Sequence, residues 1–249
     1  MNLKILCLYP NLMDLYGDNG NIDIIKYRAQ QRNIEIEIDT YTINDEEPNF
    51  YNYDLVFLGG GSDKEQKVVA KDIVKFKKQI LRSINNGIFY LLICGGFQLF
   101  GKYYKDSENN MIEGLNIFNY YTEASTNKNE RCIGNIVIES VIDKQKIKLL
   151  GFENHGGQTF DIEHPFGKVL YGNGNKFRDM YEGIMTENVI GTYLHGPLLS
   201  KNPELADYIL KYCLERKYNK KINLKKIDDE FENIAKKEML DKLFIKSNI

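Results

Sequence analysis

The chain has 249 residues, enough to bury a substantial core in one large domain or two small ones. Its 33 Lys and Arg balance 35 Asp and Glu to a net charge of −2 with no basic half or stripe, so electrostatics points to no nucleic-acid or anionic-membrane partner. No apolar run is long enough to span a bilayer, and Cys7, Cys94, Cys132 and Cys213 form no CxxC pair, which argues against a disulfide framework and a thiolate zinc site.

The opening "MNLKILCLYP" reads as a strand closed by Pro10 rather than a signal peptide, and implies a cytoplasmic protein with reduced cysteines. "YGDNGNIDIIKYRAQQRN" follows as a helix with Asn21 as its cap, and "IEIEI" (34 to 38) alternates as a strand. "DLVFLGGG" (54 to 61) is an apolar strand running into three glycines. One amphipathic helix then carries Val69, Ile73, Phe76, Ile80 and Ile84 on one face and ends at Asn86-Gly87. Residues 88 to 93 form a buried strand, and Phe97 to Phe100 the first turn of a helix. This alternation through residue 104 predicts an α/β fold with a doubly wound, mostly parallel central sheet flanked by helices.

From Gly114 to Gly174 the texture turns β-rich, with "IFNYY", "IGNIVIES", "IKLLGFE" and "KVLYGNG" as short segments separated by turns. Strand and helix return in "VIGTYL" and in the stretch after Asn202-Pro203, where Asn202 caps and Leu205, Tyr208, Ile209 and Tyr212 make the apolar face. The charged tail over 220–249 carries Ile227, Phe231, Ile234, Met239 and Leu243 at roughly helical spacing, a helical extension that lies on the surface or docks. No linker or repeat divides the chain, so 1–249 is read as a single domain.

Cys94 sits on the bend between the strand 88 to 93 and its helix, where Gly95 and Gly96 permit a tight turn that exposes the sulfur beside a helix N-terminus. That is the mechanics of a nucleophile elbow, although a small buried thiol fits the same pattern. A cysteine nucleophile needs a base, and the chain has three histidines. His164, in "DIEHPFG", reads as a solvated turn residue. His195 follows "VIGTYL" and would emerge on the same sheet edge as Cys94, where open α/β sheets place their sites; a loop histidine held by hydrogen bonds is the plain alternative. Gly59-Gly60-Gly61 and Gly95 offer side-chain-free amides for an oxyanion, but "GGGSDKEQ" matches no phosphate-binding signature.

Five stretches, "YPNLMDLYGDNGNI" (9 to 22), "VFLGGGSDKEQ" (56 to 66), "ICGGFQLFG" (93 to 101), "GFENHGGQT" (151 to 159) and "GTYLHGPLL" (191 to 199), occur in an order that resembles the class I (triad) glutamine amidotransferases. Within them the chain is most similar to the cobyric acid synthase-like branch and its GatD-like glutaminase subunits of lipid II isoglutaminyl synthase; the motifs lie within residues 1 to 215. The resemblance implies a flavodoxin-like fold with a β-rich middle insertion and a cytoplasmic glutaminase. Cys94 and His195 would be catalytic, Gly60 or Gly61 with Gly95 would hold the oxyanion, and Arg131 would bind the glutamine α-carboxylate. An exposed hairpin arginine is the alternative for Arg131. His155, in the "FENH" motif, is expected to shape the site, and Gln158 receives no role.

The ammonia would pass to a Mur-ligase-like synthetase subunit in a heterodimer, which amidates the glutamate of lipid II. ATP and Mg²⁺ are expected on that partner, with no cofactor or metal in this chain. Most triad amidotransferases carry Glu two residues after the histidine, where "HGPLL" has Pro197, a lack the cobyric acid synthase-like members share, so the source of the third triad acid is open; the expectation is that the partner contributes a carboxylate or settles the loops around His195 and that the isolated subunit hydrolyses glutamine slowly or not at all. Three rivals stand beside this reading: an amidotransferase subunit for another, cobyric acid-like acceptor, a non-catalytic binding subunit of a ligase complex, and a cysteine hydrolase of the peptidase-like relatives.

Overall fold

A computed structural model describes residues 1–246. β1 (Asn2–Leu8) leads through α1 (Gly20–Gln30) to β2 (Glu35–Tyr41), and β3 (Leu55–Leu58) leads through α2 (Asp63–Ile73) and α3 (Lys77–Asn85) to β4 (Phe89–Ile93). After α4 (Gly95–Phe100) come β5 (Tyr103–Lys105), β6 (Met111–Glu113), β7 (Tyr121–Ala124), β8 (Cys132–Ile142), β9 (Gln145–His155), β10 (Gly157–Phe160) and β11 (Gly167–Tyr171). The chain closes with β12 (Tyr181–Glu182), β13 (Ile184–Met185), β14 (Val189–Thr192), α5 (Pro203–Tyr218) and α6 (Glu230–Lys246). The last three residues of the predicted tail, 247–249, lie outside the described residues.

The central sheet has the order β13-β14-β4-β3-β1-β2, parallel throughout except for the edge strand β13. Every residue of β3 and β4 is buried, as parallel strands covered on both faces require. The crossover from β1 to β2 steps one way across the sheet and that from β3 to β4 the other. With right-handed connections, α1 and the α2–α3 pair therefore lie on opposite faces. The reversal between β1 and β3 is a topological switch point, beside which such sheets open a crevice at the carboxyl ends of their strands. α5 packs on α1 and reaches β1 and β4.

The β-rich middle forms two further four-stranded sheets, β10-β7-β5-β6 and the antiparallel β12-β11-β8-β9. The long β8–β9 hairpin is tied to the central sheet by an antiparallel bridge between Phe152 and His195, with both amide-to-carbonyl bonds formed at 3.1 and 2.8 Å. Asn202 adds a second tie, its side chain bonding both the amide and the carbonyl of Leu150.

Several local expectations change. The helix predicted over residues 69 to 84 is broken by a tight 3₁₀ turn at Val74–Phe76, which seats Phe76 against Tyr41 and Phe50 while Val69, Ile73, Phe76 and Ile80 keep one buried face. Asn21 is not a cap: α1 starts at Gly20, and the buried Asn21 side chain accepts from the Leu199 amide. Asn202 precedes α5 but bonds β9 instead of capping. Within "IFNYY" only Tyr121 is in a strand, because the Ile117 and Phe118 amides turn back to the Phe100 carbonyl. Cys132, which the sequence pattern places beside a hairpin turn, lies instead at the open end of the β8–β9 hairpin, paired with His155. In the tail, Leu243 packs on Val137 and Leu150, while Phe231 stays exposed. Among the described residues no helix is long and apolar enough to cross a membrane.

One buried acid links this fold to pH. Glu182 accepts from the Tyr193 amide at 2.6 Å and from Thr192 Oγ1 at 2.9 Å, yet burial pushes its carboxyl up to about 8. The folded state therefore holds a proton that the unfolded chain releases near 4.5. The resulting stability is complete below that value and is lost as pH rises through about 8. Glu182→Gln should flatten this decline: between about pH 6 and 9 the melting temperature of the parent falls more steeply than that of the variant. Parallel curves would contradict the assignment.

Candidate active site

Four loops leave the carboxyl edge of the central sheet after β1, β3, β4 and β14, and each brings one component to the same place. At the end of β4, Cys94 holds φ 49° and ψ −103°, a conformation that costs an L-residue on the order of 1–3 kcal/mol. The surroundings impose it: the Cys94 amide donates to Thr192 O at 2.7 Å, and its carbonyl accepts from the Gln98 amide at 2.9 Å, in the first turn of α4. Gly96 makes the bend possible, since a Cβ there would lie 2.5 Å from Leu58 O. The thiol stands on a strained strand-to-helix turn, as the elbow pattern predicts.

His195, three residues beyond β14, is fully buried and its backbone is fixed by the Phe152 bridge. Its Nδ1 lies 2.9 Å from Asp18 Oδ1 and 3.1 Å from Oδ2. Its Nε2 has no hydrogen-bond partner. Burial pulls the imidazole down, but attraction to Cys94 and the hydrogen bond to Asp18 outweigh it and raise His195 to about 10. The Tyr16 ring meets His195 edge-on at 5.0 Å.

This geometry corrects the expectation that the acid comes from a partner chain. The orienting carboxylate is Asp18, in the "YGDNGNI" stretch after β1 and 177 residues before the histidine. Asp18 is itself fully buried, and its Oδ2 accepts from the Gly60 amide at 2.9 Å. The acid beside His195 comes from the loop after β1 rather than from the position of Pro197.

The same bond changes the oxyanion reading. The Gly60 N–H is committed to Asp18, which leaves Gly61 and Gly95 of the three expected donors. Gly95 is the first residue of α4, so its amide has no intrahelical acceptor, and Gly61 lines the cavity in front of Cys94. What Gly60 contributes is closeness: a Cβ there would stand 3.0 Å from His195 Cε1 and 3.2 Å from Cys94 Cβ. Glycine lets thiol, imidazole and carboxylate converge.

Cys94 opens onto a cavity of about 940 Å³ whose far wall includes Arg131, Asn154 and His155. The structure thus brings Arg131 to the site, its guanidinium held by Nε and Nη2 on Asn154 Oδ1 at 3.1 and 2.8 Å. Asn154 Nδ2 donates in turn to the Tyr16 hydroxyl, joining the hairpin to the loop that carries Asp18. His155, in this wall, is stacked on Tyr193 at 3.6 Å between ring centroids. Burial, with the nearby His195 and Arg131, drives it down to about 3 against the Gly157 carbonyl bond, so it is neutral. Gln158 serves the framework, donating to Glu130 O and accepting from the Phe177 amide. His164 is exposed and absent from the cavity wall.

Gln66 was missed in the sequence. It lines the cavity on the first face of α2, donates to Gly61 O at 3.0 Å, packs against Gly95 and leaves its buried Oε1 without a partner. The cavity wall therefore includes the Cys94 thiol and the Arg131 guanidinium, with Gln66 packed behind Gly95.

Comparison with known proteins supplies an independent line. The sequence profile described as a CobB/CobQ-like glutamine amidotransferase domain matches residues 4–203. The GatD subunit of the glutamine-hydrolyzing lipid II isoglutaminyl synthase of Streptococcus pneumoniae is 42% identical over 229 residues, 91% of this chain and 86% of that one. Its Staphylococcus aureus counterpart is 42% identical over 241 residues, 96% of each chain. Among solved structures, PurLQS from Thermotoga maritima superposes with a TM-score of 0.52 at 16% identity, covering 88% of this chain and 100% of that one, which shows a shared fold.

The clamp on His195 is open to direct measurement. Asp18→Asn keeps the shape and removes the charge, so the His195 imidazole should titrate well below about 10, followed through its ring C–H resonances by NMR. An unmoved titration would show that Asp18 does not set the state of the histidine.

Proposed function

Since the chain belongs to the CobB/CobQ-like glutamine amidotransferase family, we propose that it is a glutaminase subunit, hydrolysing glutamine to glutamate and ammonia at Cys94 and His195. The observation that carries this reading is the buried contact of His195 Nδ1 with Asp18 beside a thiol on a strained elbow. That contact sets the tautomer and orientation of the imidazole, so that Nε2 faces the chemistry.

The steps follow from the geometry. Glutamine enters with its α-carboxylate on the Arg131 guanidinium, a planar fork suited to it. The Cys94 sulfur adds to the side-chain amide carbon, with the proton shared by the pair held on His195. The oxyanion is held by the Gly61 and Gly95 amides. His195 Nε2 then gives its proton to the leaving nitrogen, the C–N bond breaks, and ammonia departs from a γ-glutamyl thioester. A water that loses its proton to His195 cleaves the thioester, releasing glutamate and restoring the thiol.

The near-full-length identity to two GatD subunits supports the same assignment for the wider reaction. In this reading the ammonia passes to a Mur-ligase-like partner that uses ATP and Mg²⁺ to amidate the glutamate of lipid II. Identity that covers 86% and 96% of those two chains favours this acceptor over a cobyric acid-like one.

Glutamate and ammonia release from glutamine, compared with peptides and γ-glutamyl compounds, separates a glutaminase from a peptidase-like hydrolase and from an inert subunit. Cys94→Ala should abolish turnover while alanine at Cys7, Cys132 or Cys213 preserves the reaction. His195→Ala should lose at least roughly 10²–10⁴-fold, and His164→Ala little. Activity surviving in Cys94→Ala would overturn the assignment. Arg131→Ala and Arg131→Lys should both raise KM for glutamine more than they lower kcat, since a point charge does not replace a planar fork. Unchanged kinetics would place Arg131 outside the site.

A further inference from the structure

Next to Arg131, where β8 begins and β9 ends, lies a cluster that glutamine hydrolysis does not use. Cys132 and His155 are directly opposed in the antiparallel register, and Glu153 pairs with Gly134 two residues further along. The two-residue period of a strand puts Cys132, His155 and Glu153 on one face of the hairpin. All three are buried, and one ligating atom from each, a sulfur, an imidazole nitrogen and a carboxylate oxygen, lies within 4.8 Å of the others.

The hydrogen bonds around the cluster point inward. His155 Nδ1 sits 2.7 Å from Gly157 O, so the ring proton belongs there and Nε2 presents its lone pair. Nε2 is buried with no partner, 4.0 Å from Glu153 Oε2. Glu153 Oε1 accepts from the Asn173 amide and side chain, while Oε2 accepts only from the Gly174 amide. Among the described residues no lysine or arginine pairs with this carboxylate.

From this arrangement we propose that Cys132, Glu153 and His155 form a binding site for a divalent cation of the zinc class, with the fourth position left to water. Thiolate, imidazole and carboxylate are the ligands zinc selects, and a dication with one thiolate and one carboxylate sums to zero charge in a buried place. Zinc–ligand lengths put tetrahedral donors roughly 3.4–3.6 Å apart, so the present separations close by about 1 Å. The outer contacts are those of metal ligands in general: a backbone carbonyl on the far nitrogen of the histidine, and amides on the carboxylate. Sequence spacing could not show the set, because Cys132 and His155 meet only through the hairpin register. His155 borders the glutamine cavity, which gives a cation its way in. Once bound it would fix the backbone on either side of Arg131 and Asn154.

The test uses the full chain with Cys94→Ser, which removes the competing thiol beside His195, stripped by a chelator and titrated with Co²⁺. One equivalent should bind with an intense thiolate-to-cobalt absorption and the visible bands of a four-coordinate ion. Zn²⁺ should displace it and raise the melting temperature. Adding Cys132→Ser should remove the thiolate band, and adding His155→Gln should weaken binding at least about tenfold, with far-UV circular dichroism reporting that both remain folded. Failure of the stripped Cys94→Ser chain to take up one equivalent of either metal overturns the proposal without recourse to further variants. A thiolate band that persists in Cys132→Ser places the ion elsewhere and overturns it equally.

Discussion

The site depends on one buried carboxylate. Asp18 accepts from the Gly60 amide with one oxygen while both oxygens lie within 3.1 Å of His195 Nδ1. A single side chain therefore joins the loops after β1, β3 and β14. Burying that charge is tolerable only because an amide dipole and an imidazole face it, and breaking such a buried pair typically costs about 3–5 kcal/mol. The requirement explains the local backbone: a Cβ at position 60 would press on His195, Asp18 and Cys94 at 3.0 to 3.2 Å, so glycine suits the point where they converge. The strain at Cys94 is held by the same convergence, since the Thr192 carbonyl that fixes its amide belongs to the strand that delivers His195.

The fold supplies this convergence through the direction of its strands. Four adjacent parallel strands, β1, β3, β4 and β14, end on one edge, so residues far apart in sequence arrive within one hydrogen bond of each other. The β-rich middle supplies what the edge lacks, the wall of the cavity that carries Arg131 and Asn154. Its hairpin is locked to His195 through Phe152 and to the start of α5 through Asn202, so the guanidinium of Arg131 is referenced to His195 by a short chain of backbone bonds. Orientation of substrate relative to nucleophile is then a property of the framework rather than of flexible loops.

How much of this was readable in the sequence follows from the range of each signal. The buried strands, the elbow at Cys94 and the emergence of His195 on the same edge rest on local patterns of apolar runs, glycines and strand ends, and the structure reproduces their placement. Arg131 and the five ordered stretches came from family likeness, which spacing alone would not have supplied. Asp18 lies inside a polar, glycine-containing stretch just after a strand, but its placement depends on a contact spanning 177 residues that no local pattern encodes. The two positions after the histidine hold only Gly196 and Pro197, so the local pattern carries no acid. Gly60 was misassigned for a related reason, since a glycine run offers amides without showing which one is already engaged.

An acid within the chain changes how coupling to a partner is understood. The contact of Asp18 with His195 Nδ1 is made within the chain, so in the proposed reading a synthetase acts on access, substrate binding or ammonia transfer rather than by supplying this acid. The most direct measurement of this claim is glutamate formation from glutamine by the isolated chain, parent against Asp18→Asn, at saturating substrate. The account predicts turnover in the parent that falls by at least about 10²-fold in the variant at unchanged fold, as loss of the orienting acid does in such triads. Equal rates in the two, or activity that appears only when a partner's carboxylate is present, would contradict it.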